Sequence, residues 1–288
     1  MKMNERNRIK IKALDMLSKS MLFVMLVLVI SSCNTDDTQE VTTLNNLIIA
    51  DEFDVDGAPD PEIWGFDIGN GPNGDGWGNQ ELQYYTDRNE NVEVQNGFLI
   101  ITAREESFEG SAYTSARLLT KGKFEQQYGR FEARMRLPYG QGIWPAFWML
   151  GADIDTNPWP GAGEIDIMEY RGQEPTVVLG SVHGPGYCGS EAICDEPAES
   201  KSYDLENDRF DTGFHVFGIE WGPGFVNFYV DDVLYNQITP GDVPGEWVFD
   251  KPFYILINLA VGGAFVGSPD SETVFPQTLL VDYVRVFQ

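Results

Sequence analysis

The feature that most restricts the fold of this chain is a two-residue alternation of apolar and polar side chains. In the segment "RFEARMRL", charged residues at positions 130, 132, 134 and 136 alternate with apolar residues at positions 131, 133, 135 and 137. Side chains of a β-strand point alternately to its two faces, so this pattern is typical of a strand with one buried face.

Further short apolar segments follow one another along the chain, separated by clusters of Gly, Pro, Asn and Asp. They are "FLIITARE", "GIWPAFWML", "TVVLGSVH", "FHVFGIEW", "VNFYVDDVLY", "FYILINLAV" and "VDYVRVF". No stretch of twelve or more residues in the sequence has a convincing helical stripe. Many short strands without intervening helices predict an all-β sandwich or barrel, with one large domain over residues 47–288.

The first 33 residues have the composition of an export signal. Six basic residues precede the apolar run "MLFVMLVLVI", which ends at Ile30 and is too short to span a bilayer. The following "ISSC" resembles the lipobox of bacterial lipoproteins, which predicts a lipid on Cys33; an ordinary cleavage site with an incidental cysteine is the alternative. Residues 34–46 are polar and predict a flexible tether. We therefore expect an exported protein held by lipid on the bacterial outer membrane, with the cell surface as one location.

Net charge restricts the partners. The chain carries a formal charge of -26, and loss of the leader, with its six basic and two acidic residues, makes it -30. So acidic a protein repels nucleic acid and polyanionic glycans. A neutral substrate and a monomer that touches the membrane only through its lipid are expected.

Two cysteines remain once Cys33 is assigned to lipid. Cys188 and Cys194 bound the short segment "CGSEAIC", and in an exported protein this spacing favours a disulfide. A metal pair is the competing interpretation. The only histidines, His183 and His215, do not have a spacing typical of zinc ligands.

Three carboxylates are concentrated in "GEIDIMEY". In a regular strand Glu164 and Asp166 share one face, whereas Glu169 falls on the other face among apolar residues. Burying a carboxylate there is costly. One extra residue near positions 167 and 168, a β-bulge, would return Glu169 to the face of the other two, and bulges are common beside active sites.

Carboxylates on one strand face suit glycoside hydrolysis. A separation of about 5 Å lets one group attack the anomeric carbon while the other protonates the leaving oxygen. Asp166 between the two glutamates would influence their protonation, as coupled acids do. The alternative is a solvated edge-strand face, which spacing alone does not exclude.

Several segments in the same order resemble one family, glycoside hydrolase family 16, and within it the laminarinase-like β-glucanases. "GEIDIMEY" matches the bulged signature E-x-D-x-x-E. The other segments are "GWGNQELQYYT", "YTSARLLTKGKFEQQYGRFEARMRLPYGQGIWPAFWMLG", "FHVFGIEW" and "NLAVGG". Together they cover most of residues 47–288. The resemblance implies a concanavalin A-like β-jelly roll of two curved antiparallel sheets, a glycan cleft on the concave face, and hydrolysis with retention of configuration.

The resemblance also implies roles for the three carboxylates. Glu164 matches the nucleophile, Glu169 the acid/base, and Asp166 the assisting residue between them. The resemblance implies that catalysis requires no cofactor.

Five further positions match residues that line the family's cleft. Trp144 and Trp148 share a strand face and would stack on sugar rings, with core packing as the alternative. Asn79, Arg117 and Asn258 would hydrogen-bond to sugar hydroxyls; for Arg117 a surface ion pair is the alternative.

The sequence indicates the roles of two histidines and one tryptophan less clearly. His183 falls on the strand expected beside the catalytic one and is either a hydrogen-bonding partner in the cleft or a structural histidine. His215 is interpreted as structural. Trp159, before the signature, lines the cleft or caps a loop.

Many family members bind one structural calcium ion on the convex side. The matching positions here are Glu52, Gly97 and Asp282, which offer the mix of carbonyl and carboxylate oxygens that calcium prefers. A solvent-facing role is the alternative for Asp282.

The function expected from these residues is a retaining endo-β-1,3-glucanase that acts on laminarin-like glucans. One alternative is the same mechanism on mixed-linkage β-1,3-1,4-glucan or another neutral glycan. A second is a surface glycan-binding protein without catalysis, although such proteins typically lose a catalytic carboxylate and this chain keeps all three.

Overall fold

The protein is described here from a computed structural model, which defines residues 44–189 and 193–288. The predicted signal peptide and Cys33 lie outside these residues. Within them, no helix is long and apolar enough to cross a bilayer.

The regular secondary structure of the described chain is almost entirely β-strand, with one short helical turn at Gly76–Gln80. The first nine strands are β1 (Leu47–Asp51), β2 (Gly65–Phe66), β3 (Gln83–Tyr85), β4 (Val92–Gln95), β5 (Phe98–Phe108), β6 (Ser111–Ser115), β7 (Arg117–Leu119), β8 (Gly129–Arg136) and β9 (Ile143–Gly151). The others are β10 (Glu164–Tyr170), β11 (Val177–His183), β12 (Glu199–Asp204), β13 (His215–Gly222), β14 (Phe225–Val230), β15 (Val233–Ile238), β16 (Phe253–Val261) and β17 (Gln277–Phe287). The all-β prediction is confirmed.

The strands form two sheets. The larger has ten strands, with the order β15-β14-β13-β8-β17-β5-β6-β3, while β1 pairs with β17 and β4 with β5. The smaller has seven, in the order β12-β11-β10-β9-β16-β7-β2. Among the described pairs, β3 and β6 are parallel and the rest are antiparallel. Some strands that pair in a sheet, such as β9 and β16, are far apart in the sequence. The fold is therefore a sandwich with long connections between paired strands.

The alternation seen in the sequence determines which side chains form the core. Phe131 and Met135 of β8 and Ile165 of β10 are fully buried in one continuous apolar cluster between the sheets. Burial of each such side chain stabilises the fold by about 1.5–3 kcal/mol. The core therefore holds one face of each sheet, and the other face of the smaller sheet is left for the polar residues of β10.

One segment interpreted from the sequence as a single run, "VNFYVDDVLY", is two strands in the structure. Asp231 and Asp232 have φ angles of 49° and 63°, and Val230 pairs with Val233 across the turn. Two consecutive left-handed residues form the tight turn of a β-hairpin, and aspartate tolerates this conformation better than most residues.

Candidate active site

The predicted site residues converge on the face of the seven-stranded sheet that points away from the core. Directly paired residues of antiparallel strands share a face, so the register determines which side chains meet. Glu164 pairs with Leu150 and His183, and Asp166 pairs with Trp148. The same face carries Ala146, Trp144, Asn258 and Arg117 through the pairings of β16 with β9 and β7.

A bulge in β10 brings Glu169 onto this face. Between Asp166 and Glu169 the pairing with β9 skips one residue, so that Met168 lies opposite Phe147 and Glu169 opposite Ala146. The same shift is present on the β11 side. The extra residue is Ile167, which is buried. The bulge reverses the parity of the strand, and Glu169 joins the face of Glu164 and Asp166.

His183 links the carboxylates from the neighbouring strand. Its Nε2 lies 2.9 Å from Asp166 Oδ2 and 3.8 Å from Glu164 Oε1, and its Nδ1 lies 2.9 Å from the carbonyl oxygen of Cys188. Burial alone would lower the pKa of His183, but the two carboxylates outweigh burial and raise it to about 10. The ring is therefore an imidazolium at neutral pH, and its Nδ1–H donates to the Cys188 carbonyl.

Burial raises the pKa values of Asp166 and Glu169 above those of exposed carboxyl groups. Asp166 is 3% exposed, and burial, then the charges of Glu164 and Glu169, raise its pKa well above the usual range. Burial also raises the pKa of Glu169 to about 7, although His183 and the Trp144 indole act against the rise. A buried glutamate that holds its proton up to near-neutral pH, such as Glu169, is what an acid-assisted displacement needs.

The aromatic residues lie on either side of the carboxylates. Trp148 Nε1 donates a hydrogen bond to Asn258 Oδ1 at 2.7 Å, and Asn258 Nδ2 donates to the hydroxyl of Tyr85 at 3.2 Å. Asn258 is only 6% exposed. In this structure its amide orients the indole of Trp148, and a direct contact of Asn258 with a sugar stays a prediction.

Arg117 has both of the surroundings that the sequence left open. Its Nε lies 3.0 Å from Asp67 Oδ2, and its guanidinium lies 4.7 Å from the ring centroid of Trp77 and 4.7 Å from that of Trp148. The ion pair is thus combined with stacking between two indoles on the outer face of the sheet.

Trp144 occupies the opposite side, next to Glu169. Its ring lies 5.0 Å from that of Phe265, and the guanidinium of Arg171 lies 4.1 Å from the Phe265 centroid. Both Trp144 and Trp148 are half-buried and lie outside the core between the sheets. Stacking on a ligand stays a prediction for both.

Comparison with known protein families and solved structures agrees with this arrangement of carboxyl and aromatic side chains. The family model described as "Glycosyl hydrolases family 16" matches residues 79–284. The chain belongs to glycoside hydrolase family 16.

Its relatives in family 16 cover nearly all of the described chain. A "Beta-glucanase" of Rhodothermus marinus is 45% identical over 92% of this chain and 93% of its own length. The laminarinase catalytic domain of Thermotoga maritima is 48% identical with a TM-score of 0.78, covering 84% of this chain and 98% of that structure. A non-specific endo-β-1,3(4)-glucanase of family 16 is 36% identical with a TM-score of 0.74, covering 84% and 91%. A two-sheet jelly roll is therefore the architecture of this chain.

Several residues of this family 16 site were not singled out from the sequence. Glu81 accepts hydrogen bonds from Asn79, Gln83 and Tyr85 at 3.2, 2.6 and 3.1 Å, and so joins the predicted Asn79 to the Tyr85–Asn258–Trp148 chain. Trp77 and Tyr85 are also new, as are Arg171 and Phe265. Their positions in the sequence could have identified them, because each lies inside, or within a few residues of, a segment that resembles the family.

Trp159 lies at the site. Its ring centroid is 6.3 Å from that of His183, and it packs on a small apolar cluster of Leu150, Tyr254 and Leu256 on the outer face of the sheet. His215 lies in β13 of the other sheet, where its Nδ1 is 2.7 Å from Asp231 Oδ2. That placement is consistent with the structural role expected for it.

The cysteine pair lies next to the catalytic strand. Cys188 and Cys194 form a disulfide with Cα atoms 5.6 Å apart, and both residues are buried. The loop that they close begins at Cys188, five residues after His183, the last residue of β11.

The residues predicted to hold calcium are partly committed to arginines. Both carboxylate oxygens of Glu52 accept hydrogen bonds from Arg285, at 2.7 and 2.8 Å, and Asp282 Oδ2 accepts from Arg134 at 2.6 Å. A calcium ion there would rely on main-chain carbonyls of Glu52 and Gly97 and on Asp282 Oδ1.

Proposed function

We propose that this chain is a retaining endo-β-1,3-glucanase that hydrolyses laminarin-type β-glucans. The observation that carries the proposal is the bulged strand β10, which presents Glu164, Asp166 and Glu169 on one face beside the imidazolium of His183. The similarity to a laminarinase catalytic domain over nearly its whole length supports the choice of substrate.

The first step is a displacement at the anomeric carbon. The Glu164 carboxylate forms a covalent ester with that carbon, and the bond to the leaving glycosidic oxygen breaks as Glu169 transfers its proton to that oxygen. A pKa of about 7 lets Glu169 be protonated in the free enzyme at neutral pH and still be a competent acid.

The second step returns the enzyme to its starting state. Glu169, now ionised, takes a proton from water, and the water oxygen attacks the anomeric carbon and releases Glu164. Two displacements at one carbon restore the original configuration. The His183 ring, 3.8 Å from Glu164 Oε1, places a positive charge beside the nucleophile.

Recognition of a neutral glucan follows from the aromatic flanks. Sugar rings have apolar C–H faces that stack on indoles, and Trp144 and Trp148 supply such surfaces on the two sides of the carboxylates. Neither contact requires a charged substrate, in keeping with the strongly negative chain.

Substrate preference tests this assignment directly. We expect reducing ends to be released fastest from laminarin, more slowly from mixed-linkage lichenan, and not measurably from agarose or carrageenan. The expected margin over lichenan is about tenfold, since specificity within a sugar class rests on a few contacts. Equal rates on laminarin and lichenan would favour the mixed-linkage alternative, and best activity on agarose would contradict the proposal.

The second alternative, a binding protein without catalysis, predicts a different outcome. Such a protein would retain laminarin on an affinity gel and release no oligosaccharides during long incubation. The complete set of three carboxyl groups on one strand face, with the pKa of Glu169 raised to about 7, favours the enzyme.

Export and lipid attachment at Cys33 are part of the proposal and rest on the sequence of residues 1–33. We propose a monomer on the outer membrane of a bacterium. Cell fractionation checks the anchor: Cys33→Ser should move the protein from the membrane to the soluble fraction.

A structural calcium ion at Glu52, Gly97 and Asp282 is likewise proposed. If it binds, a chelator should lower the melting temperature of the full chain and added calcium should restore it, because a ligand that binds only the folded state stabilises that state. Asp282→Asn should weaken the calcium dependence. A melting temperature that is insensitive to both treatments in differential scanning fluorimetry would contradict the site.

A further inference from the structure

The disulfide loop meets the active site through one hydrogen bond. The carbonyl oxygen of Cys188 accepts from Nδ1 of His183 at 2.9 Å. The other ring nitrogen, Nε2, lies 2.9 Å from Asp166 Oδ2. The ring of His183 is therefore held between the loop on one side and the catalytic strand on the other.

The position of that carbonyl depends on how the loop is closed. Gly184 and Tyr187 exchange main-chain hydrogen bonds of 3.1 and 3.0 Å, which turn the chain back on itself directly after His183. Cys188 is then tied covalently to Cys194, and both cysteines are buried. Residues 190–192 of the loop are outside the described part of the chain.

We propose that the Cys188–Cys194 disulfide is a positioning element of the active site, which holds the Cys188 carbonyl where it orients the His183 ring toward Asp166 and Glu164. The proposal rests on the proposed function, because it assigns the loop to the machinery of that reaction. Cys188 acts through His183 and touches no substrate.

The physical reason is the freedom of an imidazole ring. The second side-chain torsion of histidine is broad and roughly two-fold, so the ring orientation is set by the partners of its two nitrogens. When the carbonyl moves away, the ring turns and Nε2 leaves Asp166. The titratable groups that face the ring, Glu164 and Asp166 from β10, then lose their nearest cation.

The effect should fall on the chemical step more than on binding. The indoles of Trp144 and Trp148 do not depend on the loop for their hydrogen bonds or stacking partners named above. A misplaced charge beside the nucleophile, in contrast, lowers the rate of displacement. The expected signature is a fall in kcat with KM nearly unchanged.

The test compares the wild-type full chain with the double variant Cys188→Ser/Cys194→Ser, which keeps every main-chain atom. At a temperature well below both melting transitions, kcat on laminarin should fall by about tenfold, while KM should change by less than about twofold.

The chain has two histidines, so imidazole NMR separates them readily. Loss of the carbonyl partner, which raises the pKa of His183, should move the His183 titration to lower pH.

His215 is the internal control for this measurement. It lies in the other sheet, hydrogen-bonded to Asp231, and its signals should stay where they are in the double variant. Unchanged His183 signals and unchanged kcat, with only a lower melting temperature, would mean that the disulfide merely stabilises the fold and the proposal is wrong. If the double variant does not fold, reduction of the folded wild-type chain without alkylation gives the same comparison, because it breaks the disulfide and adds no group to the two buried thiols. If the wild type hydrolyses no β-glucan, the proposed function fails, and the His183 signals still decide this inference.

Discussion

Replacing Glu164 with serine is expected to abolish hydrolysis of laminarin while leaving the protein able to bind oligosaccharides. Without the carboxylate no glycosyl ester forms, and loss of a nucleophile typically lowers kcat by about 10⁵-fold or more. Trp144, Trp148 and the Arg117 stack do not need that carboxylate, so affinity should be retained. Reducing-end release from laminarin measures the first effect, and calorimetry with a laminari-oligosaccharide measures the second.

A matched control separates the active-site effect from a general one. Glu105→Ser removes an exposed glutamate from strand β5 of the other sheet and should leave hydrolysis unchanged. Substantial hydrolysis by Glu164→Ser, for example at a tenth of the wild-type rate, would mean that another group is the nucleophile. Loss of oligosaccharide binding in a folded Glu164→Ser protein would mean that recognition depends on this carboxylate.

Replacing Glu169 with alanine should give a different and more diagnostic result. On laminarin we expect kcat to fall by about 10²- to 10⁴-fold, the usual contribution of an acid/base residue. An aryl glycoside with a good leaving group needs little protonation and should still glycosylate Glu164. Added azide should then restore turnover, because it attacks the glycosyl ester without help from a base, and the product should be the β-glycosyl azide.

The pH dependence of the same variant provides a second readout. In the wild type the proton of Glu169, with a pKa of about 7, is lost as pH rises, so kcat/KM on laminarin should decline above about pH 7. The Glu169→Ala variant acting on the aryl glycoside should lack this alkaline decline. An α-glycosyl azide, or azide rescue only after loss of Glu164, would show that the assigned roles or the retaining mechanism are wrong.

The fold class and the spacing of the three carboxylates could be predicted from the sequence because both are local. Alternation over eight residues determines which side of β8 is buried, and the strand is found where the pattern predicts it. Likewise the parity conflict at Glu169 is visible within "GEIDIMEY", and the structure contains the extra residue at Ile167. The hairpin at Asp231 and Asp232 was missed because these two residues interrupt the apolar pattern only briefly, and the turn depends on their left-handed backbone conformation.

The hydrogen-bond partners and charge states of the polar groups around the carboxylates were decided only by the tertiary structure. The amide of Asn258 is divided between Trp148 and Tyr85, which are 110 and 173 residues away in the chain. The charge state of Glu169 depends on its burial and on His183 from the next strand, and His183 depends in turn on a carbonyl in the disulfide loop. Local pattern determines which face a side chain occupies, because strand geometry repeats every two residues. Hydrogen-bond partners and pKa values depend on which distant strands become neighbours, and that is settled only when the two sheets have formed and packed.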